Sequence, residues 1–83
     1  MKKHVILFFL LFGFIGLNAN TTNQSLLTKA NQQYNAGQFN EAIKTYYQIL
    51  ENKIESAQLY YNIGNAYFKL KDLSSAILYY EKA

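Results

Sequence analysis

Cysteine, proline and arginine are all missing from the 83 residues, and a single histidine, His4, occurs. Each absence removes a class of protein. Without cysteine there is no disulfide to support a small core and no thiolate to act as nucleophile or metal ligand. With one histidine, and that one next to the N-terminus, the nucleophile–base pairs and nitrogen-ligated metal sites of many enzymes lack their parts. Only four glycines are present, and none is arranged as a phosphate-cradling loop. Glu51 and Glu55 lie four apart, but their place near a helix end suits two solvated carboxylates better than an acid and base pair. Missing proline leaves nothing to interrupt helices.

What is present falls into two parts. The opening MKKHVILFFLLFGFIGLNAN has a basic start at Lys2 and Lys3, an apolar run from Val5 to Leu17 and a polar exit, the layout of a secretory signal. As a helix that run would span roughly 20 Å, short of the roughly 30 Å hydrocarbon core of a bilayer. Residues 1–19 are therefore expected to be a signal peptide cleaved after Ala19. Leu17 stands where a small residue is preferred before such a cut, so an N-terminal anchor is the other reading. The net charge of +3 belongs partly to this segment. Without it, six lysines face five acidic residues, a net of +1. Lys29, Lys44, Lys53, Lys69, Lys71 and Lys82 are scattered and form no basic stripe, which argues against nucleic acid.

From Thr22 onward, apolar residues recur at helical spacing in four blocks. A shift of thirty-four residues pairs Gln24 with Gln58, Asn31 with Asn65, Ala42 with Ala76, Ile43 with Ile77, and Tyr46 with Tyr80. The same shift carries Thr22 to Ser56, both expected as hydroxyl N-caps. This predicts a two-helix unit used twice. In the second unit Leu59, Tyr60, Ile63, Ala66, Tyr67 and Leu70 form one apolar stripe, and Leu73, Ala76, Ile77, Tyr80 and Ala83 form another. Gly64 and Ala76 are small where the two helices would cross. Asp72 reads as the cap of the last helix, and Gly37 as a left-handed turn whose counterpart is Lys71.

Tyr60, Ile63-Gly64, Tyr67, Ala76, Tyr80 and Ala83 follow the order and spacing of the tetratricopeptide repeat family, which the chain resembles. The first unit carries Leu26, Lys29-Ala30, Gln33, Ala42, Tyr46 and Ile49 at those places, a more degenerate version. The resemblance implies an all-α fold of helix-turn-helix repeats, an α-solenoid fragment, with units at 22–56 and 57–83 after the N-terminal segment. It also implies a concave groove for a protein or peptide partner. By position the groove residues would be Leu27, Asn31, Tyr34, Asn35, Gln58, Tyr61, Asn62, Asn65, Phe68 and Lys69. Asn31 and Asn65 would either contact a peptide backbone or satisfy local backbone groups. Tyr61 and Phe68 would meet a ligand or an adjoining repeat. Leu27 fills the place of a lysine in the carboxylate-clamp subgroup, which argues against a C-terminal-carboxylate receptor.

Signal and repeat together resemble the N-terminal part of bacterial BatE-type tetratricopeptide proteins of the aerotolerance operon. That likeness implies an exported scaffold, periplasmic or membrane-anchored, with no catalytic residues, cofactor, metal, nucleic acid or small-molecule substrate. The alternative is that these repeats form the targeting or regulatory front of a larger enzyme with its catalytic domain downstream. Two repeats with an uncapped end are expected to be weakly stable alone, since each unit buries its faces against neighbours.

Overall fold

The computed structural model describes residues 21–83; the proposed signal or anchor at 1–19 and its cleavage site lie outside the described residues. Helix α1 occupies 21–35. It is followed by α2 (Phe39–Glu51), α3 (Ala57–Lys69) and α4 (Leu73–Lys82). No strand occurs among the described residues. The architecture is all-α, two helical hairpins in series, with α3 packed against both α2 and α4.

All three turns close by one device. Gly37 N–H donates to the Tyr34 carbonyl at 3.0 Å and Gln38 N–H to that of Gln33 at 2.8 Å. Thirty-four residues later Lys71 donates to Phe68 at 2.9 Å and Asp72 to Tyr67 at 3.0 Å. Between them Lys53 donates to Leu50 at 2.9 Å and Ile54 to Ile49 at 3.4 Å. These are Schellman pairs, which satisfy the last carbonyls of a helix and require a left-handed residue after it. Gly37 takes it at φ +79°, and Lys71 and Lys53 at +65°. A lysine there costs about 1–2 kcal/mol of backbone strain. The sequence points to the turn at Lys71 through its glycine counterpart; Lys53 has no such counterpart and was not anticipated.

Ser56 and Asp72 cap the helices that follow them. Ser56 Oγ accepts from Leu59 N–H at 3.0 Å, and Asp72 accepts from both the N–H and the hydroxyl of Ser75 at 3.2 and 2.8 Å. Each such cap is worth about 1 kcal/mol. The expectation for Thr22 is corrected: residues 21 and 22 are already helical, whereas a capping residue holds non-helical backbone angles.

Ala30, Ala42, Tyr46, Ile49, Leu59 and Ile63 form the shared core, with Leu26, Tyr34, Tyr47, Leu50, Tyr67 and Tyr79 packed around it. Tyr46 and Ile63 are its largest fully enclosed side chains, and burying each contributes about 1.5–3 kcal/mol. The thirty-four-residue rhythm persists in the contacts between helices. Asn31 Oδ1 accepts the Tyr46 hydroxyl at 2.6 Å, and Asn65 Oδ1 accepts that of Tyr80 at 2.6 Å. Where the first hairpin joins Gln33 to Thr45 by a 2.7 Å hydrogen bond, the second stacks Tyr67 on Tyr79 with centroids 5.6 Å apart. Tyr47 binds both of those phenols, at 2.6 Å to Tyr67 and 3.0 Å to Tyr79, and so ties the second hairpin to α2.

The stripe expected on α4 divides. Ala76 is buried and Tyr80 half-buried, but Leu73, Ile77 and Ala83 are exposed. Tyr79 turns inward in their place. α4 packs chiefly against α3 and meets α2 through Tyr79 and Tyr47, so part of its surface is covered. Leu70, expected on the α3 stripe, follows the last turn of that helix and is also exposed.

The crossing at Gly64 is as close as the small residues suggest. A β-carbon on Gly64 would lie 2.7 Å from two ring atoms of Tyr80 and 3.3 Å from the Ala76 carbonyl oxygen. Gly64→Ala should therefore displace the Tyr80 ring. Overpacking at about 1–3 kcal/mol outweighs the roughly 1 kcal/mol gained in helix propensity, so a net loss of about 1 kcal/mol is expected in thermal or urea unfolding. Equal or greater stability would contradict the crossing.

The tyrosine cluster also sets an alkaline limit. Burial, then the hydrogen bonds to Tyr67 and Tyr79, raise the Tyr47 pKa above its ordinary 10.0. A phenol that holds its proton more tightly when folded contributes stability fully present below about pH 10 and lost as pH climbs further. Melting temperature should therefore fall more steeply above pH 10 in the native chain than in Tyr47→Phe, and parallel alkaline limbs would refute the coupling.

Candidate functional site

A cleft lies between α1 and α3. α1 supplies Asn31, Tyr34 and Asn35, and α3 supplies Gln58, Asn62 and Asn65. With Tyr46 from α2 they line a cleft of about 330 Å³. One helical turn separates Gln58 from Asn62, and their amides join, Nε2 donating to Oδ1 at 2.9 Å. Six of the ten residues placed in a groove by the sequence are thus brought together: Asn31, Tyr34, Asn35, Gln58, Asn62 and Asn65. Tyr46, an apolar core position by its spacing, was not among them. Its hydroxyl reaches Asn31 at the cleft because a long aromatic side chain can bury its ring and still present its tip.

The other four lie elsewhere. Leu27 lines a separate apolar hollow of about 220 Å³ with Ile49, Ile54 and Leu59. Tyr61 is half exposed, and its ring already has a neighbour in the chain, Tyr80, at 5.6 Å. Phe68 and Lys69 are exposed at the end of α3 and do not line the cleft.

No lysine, aspartate or glutamate lines the cleft. Its chemistry is that of neutral amides and phenols. The recurring asparagines have both local and outward-facing capacity. Each side-chain oxygen is occupied by a tyrosine hydroxyl, which fixes the amide against flipping and leaves the two Nδ2 hydrogens as donors. Neither nitrogen has an acceptor among the described residues. The hydroxyls that hold them resist ionisation. Burial foremost, with the nearby Tyr34, raises the pKa of Tyr46, while burial foremost, with Tyr61 and Tyr34, raises that of Tyr80. Both therefore remain donors through the physiological range.

Among the described residues, no group of three or more histidine, cysteine or acidic side chains could hold a metal ion. No described helix is long and apolar enough to cross a membrane.

The family model for the tetratricopeptide repeat matches residues 57–83. That segment is similar to a tetratricopeptide repeat. It contains α3 and α4, the Gly64 crossing and the Asn65–Tyr80 pair. The tetratricopeptide match leaves α1 and α2 outside it, although the Asn31–Tyr46 pair and the Gly37 turn repeat its contacts at the same spacing. Neither a curated protein nor a solved structure matches the chain. Tetratricopeptide repeats generally mediate contacts between proteins and bind protein or peptide partners, a role in keeping with the cleft between α1 and α3.

Proposed function

We propose that this chain is an exported repeat scaffold that holds an extended segment of a protein partner along the cleft between α1 and α3. The observation that supports the reading is the pair of asparagines lining the cleft, one per hairpin, each with its oxygen held by a tyrosine hydroxyl and its N–H groups left as donors. An extended peptide offers main-chain carbonyls as acceptors, and donors of this kind read them without demanding a particular side chain. A cleft without charge favours recognition of the backbone over recognition of a terminal carboxylate. The domain reading consistent with this has one repeat at 22–56 and a second at 57–83.

Export to the periplasm, free or held by the N-terminal segment, is proposed from the basic, apolar and polar succession of residues 1–19. The BatE-type likeness extends the proposal to a component of a membrane-associated aerotolerance or stress complex. Adjacent genes for von Willebrand factor A-type proteins and a MoxR-type ATPase are expected for that assignment, and neighbours of other kinds would remove it while leaving the cleft.

Peptides selected by display on the intact chain provide the probe for the cleft. Asn65→Asp replaces two donors with acceptors and should weaken the selected peptides at least tenfold, about 1.4 kcal/mol. Tyr80→Phe, which keeps Asn65 but releases it, should cost a few-fold. Circular dichroism should show unchanged helicity in both variants. Peptides that bind every variant as well as the native chain would show that the cleft is not the contact surface.

A further inference from the structure

The apolar hollow beside α1 and the polar cleft adjoin. The hollow holds about 220 Å³, its open surface is almost wholly apolar, and Leu27, Ile49, Ile54 and Leu59 line it. Gln58 lines both hollow and cleft, so the two meet on α3. On α1 they are joined by Asn23, Leu27 and Asn31, which recur every four residues and therefore run along one face of the helix. Asn23 and Leu27 line the hollow, and Asn31 lines the cleft.

The asparagines at the two ends of this line are held alike. Asn23 Oδ1 accepts from Asn52 Nδ2 at 2.8 Å, as Asn31 Oδ1 accepts from the Tyr46 hydroxyl, so each keeps its N–H groups as donors. α1 thus presents a donor, an apolar side chain and a second donor over about 12 Å, at about 1.5 Å per residue. An extended chain rises about 3.3 Å per residue, so about four of its residues span that line. Residues four apart in such a chain turn their carbonyls to the same side, and the residue midway between them sits level with Leu27.

We infer, on the peptide reading of the cleft, that the held segment carries a large apolar side chain that fills the hollow, with Asn23 and Asn31 donating to main-chain carbonyls on either side of it. Main-chain contacts hold any sequence, whereas a side-chain pocket selects one. Lysine, aspartate and glutamate are missing from the hollow as from the cleft, so a charged anchor would lose its hydration and gain no partner. Leu27 is 38% exposed and Ile54 44%, and a seated apolar side chain covers both.

Peptides displayed as internal segments, with neither terminus free, test this on the full chain. Those selected on the native chain should share one large apolar position. Changing that residue to serine should weaken binding about tenfold or more, as should Leu27→Asp or Ile54→Asp in the chain. The serine peptide and Leu27→Asp together should cost no more than either alone. Leu27 and Ile54 already stand partly in solvent, so circular dichroism should be unchanged, and Leu27→Met should keep the affinity. Peptides weakened by Asn65→Asp but by neither Leu27→Asp nor Ile54→Asp would overturn the anchor and leave the cleft reading intact. The reverse pattern, with Asn65→Asp silent, would remove the cleft reading and the anchor with it, and so would a selection that yields no binder. Tighter binding after Phe12→Ser or Phe14→Ser would put the chain's own apolar run in the hollow, and slower sedimentation of Leu27→Asp than of the native chain would put a second copy there. Either result would overturn the partner as its occupant.

Discussion

Everything in this molecule depends on how closely the two helices of a hairpin can approach, and that distance is set by the smallest side chains in the sequence. At Gly64 there is no room for a single additional carbon: Tyr80 occupies one side and the Ala76 carbonyl another. Ala30 and Ala42 hold the corresponding places in the first hairpin, both fully buried. Close backbones let the large residues on either side span the interface. Tyr46 reaches Asn31 from one helix to the next, and Tyr80 reaches Asn65. Both hairpins hold this hydrogen bond at 2.6 Å, with Ala30 in the first where the second has Gly64.

The two hairpins use the same frame with different fillings. Gln33 and Thr45 make a polar bridge where Tyr67 and Tyr79 make a stacked aromatic pair. Thr45 is buried, and its hydroxyl also bonds to the Glu41 carbonyl at 3.0 Å, so enclosing it leaves no polar group unsatisfied. The aromatic solution in the second hairpin gains area and reaches further, since Tyr47 inserts its hydroxyl between the two rings' phenols. This cluster couples the hairpins, which is how a repeat too small to hold its own core gains stability from its neighbour. Buried polar groups are hydrogen-bonded throughout the described residues.

The geometry separates the surface into regions of different chemistry. The cleft is polar, uncharged and oriented; the end of α4 is apolar; the outer face of α1 carries Ser25, Lys29 and their polar neighbours. The six described lysines do not line the cleft.

Repetition made much of this readable in one dimension. Period, residue size and capping chemistry are local properties, so the helices, the Gly64–Ala76 crossing, the Ser56 and Asp72 caps and the left-handed turns at Gly37 and Lys71 were legible in the amino-acid order. Six residues that line the cleft were among those the family resemblance placed in a groove, but only Asn31 and Asn65 of them occupy equivalent positions in the two units. The turn at Lys53 was not legible, for it joins the units instead of recurring within one. Thr22 misled because a threonine looks the same before a helix as inside one, and Leu27 and Phe68 because helical spacing gives a direction without saying which neighbour stands there. Sequence alone determined that two amphipathic hairpins would form and where each would bend, since those outcomes depend on residues within a few positions of one another. Only the tertiary structure decided that Tyr46 would join the cleft, that Tyr79 would turn inward and that Ile77 would stay in solvent while Ile43 is buried, because those outcomes depend on which helix lies alongside.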